Sequence, residues 1–397
     1  MRISQAASIE QAGRYRDTWA KVDLGAIRSN VLTIRKNLPS HTKLMAVVKA
    51  NGYGHGSVEA ARMAIQAGAQ YLAVAFLSEA LQLRKNGITA PILILSPIKP
   101  QEVHAACILN VMLTVTSASW FDELSRVSKG IPPKKLKIHI KLDTGLGRIG
   151  IRNHQEWMDL VPWLQATDVI VDGVYTHFAT AGREETDFLQ KQWGRFQEMM
   201  AWVKNSGLKV NHYHCANSAA ALRFPELAMD MVRIGAAMFG FYPKNLVPEV
   251  DLKPALSVYS SLMEVKKLSK GEYIGYDNSY QAQDEEWIGT VPIGYADGWS
   301  QSLRGSEVLV DGCRMPVVGK ICMDQLMIRL PCYYPVGTDV TLIGKQGSQM
   351  ITCAELASYM GSVAQEISTS LTSRISRSYT DSRLPIAKNR VPVILRR

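Results

Sequence analysis

From residue 43 to residue 239 the chain keeps returning to one pattern: a short apolar, β-rich run, then in most cases a segment with helical spacing. The β-rich runs are Lys43–Lys49, Tyr71–Phe76, Pro91–Ser96, Val111–Val115, Lys135–Asp143, Val169–His177, His212–His214 and Met231–Phe239. Helical spacing covers Ser57–Gly68, Ser78–Gly87, a stretch near Ser119–Val127, Gln155–Gln165 and Phe188–Ser206. Strands that alternate with helices pair in parallel, and about eight such units over ~200 residues suit a closed (β/α)8 barrel. An open doubly wound sheet is the alternative. No Gly-x-Gly-x-x-Gly follows an early strand, which counts against a dinucleotide fold.

After about Pro254 the rhythm changes to short alternating strands separated by Gly, Pro and Asp turns: Leu256–Val265, Trp287–Ile293, Glu307–Val310, Arg314–Val318, Gln325–Leu330 and Asp339–Ile343. The expected architecture is therefore α/β: a (β/α)8 barrel over residues 16–254, then a mainly β domain over 255–397. Residues 16–24 could join either domain, and 1–15 read as a frayed tail. With 47% hydrophobic and 20% charged residues the chain is globular in composition and not disordered. No apolar run reaches the ~18 residues of a membrane helix and no early block reads as a signal peptide, so a soluble, cytoplasmic protein is expected.

The formal charge of +10 raises the question of nucleic acid. The basic residues are scattered, and the densest places, Lys134–Lys137 and Lys388–Arg397, lack the interleaved aromatics of a base-stacking groove. The charge predicts attraction for anionic ligands, with neither a nucleic acid nor a membrane as partner. Six cysteines contain no Cys-x-x-Cys and no His pair has zinc-finger spacing, so reduced thiols and no metal are expected.

Barrel active sites lie at the C-terminal ends of the strands. Those ends carry Lys49-Ala-Asn-Gly-Tyr53-Gly-His-Gly, Asp143-Thr-Gly-Leu-Gly-Arg148, Thr176-His177, His214-Cys-Ala-Asn217-Ser218 and Arg233-Ile-Gly235-Ala236. Two readings fit Lys49: a lysine that snorkels from a strand end, or a desolvated amine able to condense with a carbonyl compound. Ser218 reads equally as a helix cap or as a hydroxyl on a phosphate, which barrels often bind at their last loops. A phosphate there and a carbonyl at Lys49 would together describe one cofactor, pyridoxal phosphate.

Seven segments in order carry a family resemblance: Ala46–Gly56, Lys141–Gly150, Tyr175–Ala179, His214–Ser218, Arg233–Gly240, Ile293–Trp299 and Cys322–Gln325. Over roughly residues 16–385 the chain resembles the alanine racemases, fold-type III pyridoxal-phosphate enzymes. The resemblance implies a barrel followed by a β domain, and a head-to-tail homodimer in which the β domain of one subunit closes the barrel mouth of the other. It implies a two-base interconversion of L- and D-alanine that supplies D-alanine to bacterial peptidoglycan. Lys49 would hold the cofactor and serve the D face; Tyr276 of the partner subunit would serve the L face, tuned by His177. Arg233, positioned by His214, would face the pyridine nitrogen. Tyr53, Ser218, Gly235 and Ala236 would hold the phosphate. Arg148 and the Met323 amide would hold the substrate carboxylate, Tyr295 would line the site, and Lys141 matches a lysine often carbamylated.

Four positions depart from the family's common form. Ser373 stands where a tyrosine commonly precedes the arginine at 374, Gly182 stands in place of an acidic residue, and Gln301 and Lys320 match two gate arginines. Each change shrinks or softens the access corridor, so a broader racemase that also accepts serine is the alternative. A non-catalytic pyridoxal-phosphate carrier is disfavoured by the expected β domain, and a decarboxylase by the arginine at 233.

Overall fold

The computed structural model describes residues 16–127 and 136–381. The expectations for residues 1–15, for Lys134 and Lys135, and for Lys388–Arg397 fall outside the described residues. The chain forms two compact units: Ala26–Pro254, and the residues up to Gly25 together with those from Ala255 onward.

The first strand, β1 (Trp19–Asp23), belongs to the second unit and leads into helix α1 (Leu24–Lys36). The first unit then carries β2 (Lys43–Val47), β3 (Tyr71–Val74), β4 (Ile92–Ile94), β5 (Met112–Val115), β6 (Lys137–Lys141), β7 (Ile170–Tyr175), β8 (His212–His214) and β9 (Met231–Ile234). All are parallel, in the order β8-β7-β6-β5-β4-β3-β2-β9. The peptide N–H groups of Asp230 and Arg233 donate to the carbonyls of Tyr213 (3.3 Å) and Ala216 (3.0 Å), which brings the two ends of the sheet together as a barrel. Intervening helices are α2 (Ser57–Gln66), α3 (Leu77–Lys85), α4 (Val103–Ile108), α5 (Ala118–Val127), α6 (His154–Ala166), α7 (Asp187–Asn205) and α8 (Ser218–Arg223).

One side of the barrel interior is apolar: Met45, Val47, Ala73, Leu93, Met112 and Met231 form a buried cluster. Each of the larger side chains in it, Ala73 aside, contributes about 1.5–3 kcal/mol of burial. The other side is polar, because register sets Lys141 beside Tyr175 and Tyr175 beside His214. Two expected strands end early. Lys43–Lys49 stops at Val47, and Met231–Phe239 stops at Ile234, after which Ala236–Phe239 forms a 3₁₀ turn.

The second unit is built on a ten-stranded sheet. Its strands are β1, β10 (Leu256–Ser261), β11 (Glu264–Leu268), β14 (Glu286–Val291), β15 (Glu307–Val310), β16 (Cys313–Val318), β17 (Leu326–Leu330), β18 (Asp339–Gln346), β19 (Gln349–Ile351) and β20 (Ser376–Thr380). A separate hairpin pairs β12 (Tyr273–Ile274) with β13 (Tyr280–Gln281). Two helices follow, α9 (Cys353–Tyr359) and α10 (Ala364–Ser370). The expected single strand Leu256–Val265 is two strands. At Leu262 and Met263 the backbone turns from Thr338 to Thr290 for its partners, so β10 pairs with β18 and β11 with β14. β1 pairs antiparallel with β10 and parallel with β20.

Candidate active site

A cavity of about 490 Å³ opens at the C-terminal ends of the barrel strands. Nine of the candidate residues line it: Lys49, Tyr53, Lys141, Arg148, His177, Ser218, Arg233, Gly235 and Ala236. Its ionisable lining has one sign. Lys49, Lys141, Arg148 and Arg233 are cationic types, and among the described lining residues there is no carboxylate.

Lys49 does not end a strand. It opens a turn in which Ala50, Asn51, Gly52 and Tyr53 all have φ between +51° and +61°, a left-handed helical turn made mostly of non-glycine residues. Such a conformation costs roughly 1–2 kcal/mol per L-residue, so the surrounding structure must hold it. The His55 ring nitrogen Nδ1 lies 2.9 Å from the Tyr53 carbonyl and 3.1 Å from that of Gly52, and Asn51 Oδ1 accepts the Ser57 N–H. Burial pulls the Lys49 amine below its ordinary value; Arg148 adds to this and Glu79 opposes it.

Arg233 is 4% exposed and, among the described residues, has no carboxylate against it. Its Nη1 donates to His214 Nδ1 (2.8 Å). Its Nη2 donates to the Thr176 carbonyl (2.8 Å), the Cys215 carbonyl (3.1 Å) and His177 Nδ1 (3.2 Å). A guanidinium only donates, so both histidines accept at Nδ1 and carry their proton on Nε2. The His214 Nε2–H then meets His139 Nδ1 at 2.9 Å, and the His139 Nε2–H points to Asp172 Oδ2 at 3.3 Å. The whole row is polarised from a pure donor, Arg233, to a pure acceptor, Asp172. Burial holds His139 below the usual imidazole range and His177 and His214 well below it. Burial pushes the Asp172 carboxyl up, but hydrogen bonds from His139, His212 and Asn211 outweigh it and hold the group well below the carboxylate range. Gly173 leaves room for this row: a Cβ there would sit 2.3 Å from His139 Nδ1.

Lys141 is 2% exposed, and its Nζ makes no hydrogen bond among the described residues. It lies 5.0 Å from the centre of the Tyr175 ring, which Arg233 also faces at 5.2 Å. Burial and Arg233 depress its amine well below the lysine range, Asp143 opposes them, and Arg148 depresses it further. Ser218 is not a helix cap. Asn217 caps α8, its Oδ1 accepting from the Ala220 N–H, while Ser218 Oγ accepts the N–H groups of Gly235 (3.0 Å) and Ala237 (3.2 Å). The Gly235 N–H is thus directed at Ser218. Gly235 is where Tyr53 comes closest: an added Cβ would lie 2.5 Å from the Tyr53 hydroxyl. Gly182 follows β7 on the exposed side of the same unit.

The other candidates belong to the β unit and gather around one loop there. Lys320 forms an ion pair with Asp277, next to Tyr276, and its N–H donates to Ser279 Oγ at 2.9 Å. The Tyr295 and Ala296 N–H groups donate to the carbonyls of Cys322 and Met323, both at 3.0 Å. Gln301 Nε2 donates to the Ile321 carbonyl, and Arg374, after exposed Ser373, pairs with Asp324 at 2.6 Å. Tyr276, Tyr295 and Met323 are exposed on this unit.

Sequence reasoning missed four contributors: Tyr175 between its two cations, the His139–Asp172 end of the polarised row, Gln192 and Glu79. Gln192 is fully buried on α7, accepts the Ala179 N–H and donates to the His177 carbonyl. Tyr175 opens the Tyr175–Ala179 segment but is given no role by it, and no local motif marks the other three.

The model of the alanine racemase N-terminal domain matches residues 22–243, and that of the C-terminal domain matches residues 255–379. The chain belongs to the alanine racemase family. Membership makes it an enzyme of the racemase class. It is 47% identical to the alanine racemase of Geobacillus stearothermophilus over 370 residues, 92% of this chain and 94% of that one. The crystal structure of alanine racemase from Bacillus anthracis with bound L-Ala-P is 46% identical, with a TM-score of 0.90 over 94% of this chain and 97% of that one. The histidine racemase of Leuconostoc mesenteroides is 31% identical, with a TM-score of 0.83 over 93% of this chain and 99% of that one. Among the described residues, no helix is long and apolar enough to cross a membrane, and no cluster of His, Cys, Asp and Glu could hold a metal.

Proposed function

We propose that this racemase interconverts L-alanine and D-alanine with pyridoxal phosphate, as a homodimer that feeds D-alanine to peptidoglycan. One observation carries the reading: in a chain of this family, four cationic side chains converge on a cavity with no carboxylate of its own. Such a cavity calls for an anionic guest, and a phosphate-bearing aldehyde together with an amino-acid carboxylate meets that demand. The residues fit the cofactor. Lys49 offers a desolvated amine. The Ser218 hydroxyl, already accepting two N–H groups, is free to donate its proton to a phosphate oxygen, with Tyr53, Gly235 and Ala236 beside it. Arg233 offers a guanidinium to the ring nitrogen. When bound, pyridoxal phosphate supplies an electron-withdrawing ring that acidifies the amino acid's Cα–H.

The chain's own groups then handle the proton. Lys49 Nζ takes or returns it on one face, and Tyr276 of the partner subunit does so on the other. His177 offers its Nε2–H, which favours a tyrosine in its charged form and so makes it a better base. Arg233 keeps its own proton, so a pyridine nitrogen facing it would stay unprotonated and its charge withdrawal would be moderate. His214 fixes the Arg233 fork. Arg148 and the Met323 amide receive the substrate carboxylate, with Tyr295 alongside. The unpartnered Lys141 amine, held neutral more readily than an ordinary lysine, suits reaction with carbon dioxide. The carbamate so formed would place an anion among Arg148, Arg233 and Tyr175.

A second reading, acceptance of serine, is favoured by exposed Ser373 and by the histidine racemase that shares this fold. The test is chiral chromatography of L-alanine and L-serine incubated side by side with the enzyme, with and without pyridoxal phosphate. Cofactor-dependent D-alanine is the expected result. A folded, cofactor-loaded protein that makes none overturns the reading. A serine-to-alanine ratio that falls in Ser373→Tyr supports the second reading; an unchanged ratio dismisses it.

A further inference from the structure

The left-handed turn that carries Lys49 is held from outside by one carboxylate. Glu79 Oε1 accepts the Ala50 N–H at 2.6 Å, the first peptide donor after Lys49. Glu79 Oε2 accepts the Ala75 N–H at 2.7 Å and the Phe76 N–H at 3.2 Å. Glu79 lies in the first turn of α3, so helix capping accounts for the Phe76 contact. It does not account for the other two. Ala50 follows β2 and Ala75 follows β3, and Ala75 lines the cavity with Lys49. The carboxylate therefore ties two strand ends together at the cavity wall. Arg148, His177 and Glu79 are the ionisable groups that bear on the Lys49 amine, and Glu79 is the anion among them.

We propose that Glu79 is a positioning residue for Lys49: it clamps the left-handed turn against the end of β3 and sets a carboxylate charge beside the amine. Reach and charge can be separated. Glu79→Asp keeps the charge but is one methylene too short to span Ala50 and Ala75. Glu79→Gln keeps the length but loses the charge, and its amide nitrogen faces an N–H on one side. The inference uses the cofactor reading of Lys49 only for its binding arm, so the experiment has two independent arms.

In the first arm the full-length chain, freed of cofactor with hydroxylamine, is labelled with trace acetic anhydride across a pH series, and Lys49 is followed by peptide mass spectrometry. Removing the charge in Glu79→Gln should move the labelling midpoint of Lys49 to lower pH by about half a unit or more, with Glu79→Asp moving it less. In the second arm pyridoxal phosphate is titrated by visible absorbance, and both variants should bind at least about tenfold more weakly. Thermal unfolding is recorded alongside. A residue that only capped α3 would lower the melting temperature without moving the Lys49 midpoint, and that result overturns the proposal. So does Glu79→Asp binding the cofactor like the parent chain, a result that stands even where Glu79→Gln does not fold. A shifted midpoint in a protein that takes up no pyridoxal phosphate would uphold the role of Glu79 and overturn the cofactor reading instead.

Discussion

Gly235 and Tyr53 show how narrowly single atoms set this cavity. The tyrosine hydroxyl, whose pKa burial pushes up to about 12, rests where any β-carbon on residue 235 would have to go. Gly235→Ala should displace Tyr53 from the wall and weaken pyridoxal phosphate binding by about tenfold or more, read from an absorbance titration. Lys141 gives a second prediction. Protein equilibrated with ¹³C-bicarbonate should show a carbamate carbon by NMR, and Lys141→Met should lack it and bind alanine more weakly. The roles of Lys49, Tyr53, Ser218 and Arg233 were proposed from sequence because each sits in a segment with a family pattern. Glu79 and Asp172 were not. Glu79 looks like any polar residue of an amphipathic helix, and nothing local says that its two oxygens leave the helix for Ala50 and Ala75.

The row from Arg233 to Asp172 is a property of strands, not of residues. It draws on β6, β7, β8 and β9, which the chain order keeps 19 to 75 positions apart at the contacts concerned. That is why it could not be read before the register was known. The alternation of strand and helix did reveal the barrel, since eight β-rich runs predict the eight parallel strands found. The β10–β11 break stayed hidden because Leu262 and Met263 carry no turn signal, and the backbone changes partners without one. Asp172→Asn should disturb the row from its far end. Arg233 keeps both tautomers in place, so the amide must accept the His139 Nε2–H through its neutral Oδ1, a weaker bond than the one to the carboxylate. The expected outcome is a changed ¹⁵N pattern for His139 and His214 and a kcat lower by roughly tenfold, with little change in KM.

On the scale of the molecule, the two units bear different halves of the proposed chemistry, the amine on the barrel and the tyrosine on the β unit. Mixing Lys49→Ala with Tyr276→Phe tests the proposed sharing between subunits. Two inactive proteins, unfolded and refolded together, should regain roughly a quarter of the parent activity, because half the dimers are mixed and each has one intact site. Recovery of none would mean that both residues act within one subunit. The buried histidines predict a pH response as well. His139, His177 and His214 are depressed in the folded chain, so the unfolded chain binds protons first. Stability from them is complete above about pH 6.5 and falls as the pH drops below it, by up to about 1.4 kcal/mol per pH unit for each histidine. Thermal melts from pH 7.5 down to 5 should show this loss, and His139→Gln should flatten it.

The cavity's one-signed lining has a cost that the empty protein bears alone. Lys49, Lys141, Arg148 and Arg233 share a lining that holds no carboxylate among the described residues, and Glu79 and Asp143, set outside it, offset the repulsion only at Lys49 and Lys141. The ligand-free fold is therefore less sturdy than its core alone would make it, and the same repulsion becomes affinity once an anion arrives. Neutralising Arg233 would relieve part of that repulsion but strand the buried carbonyls of Thr176 and Cys215 and the ring nitrogens of His177 and His214 that it now satisfies.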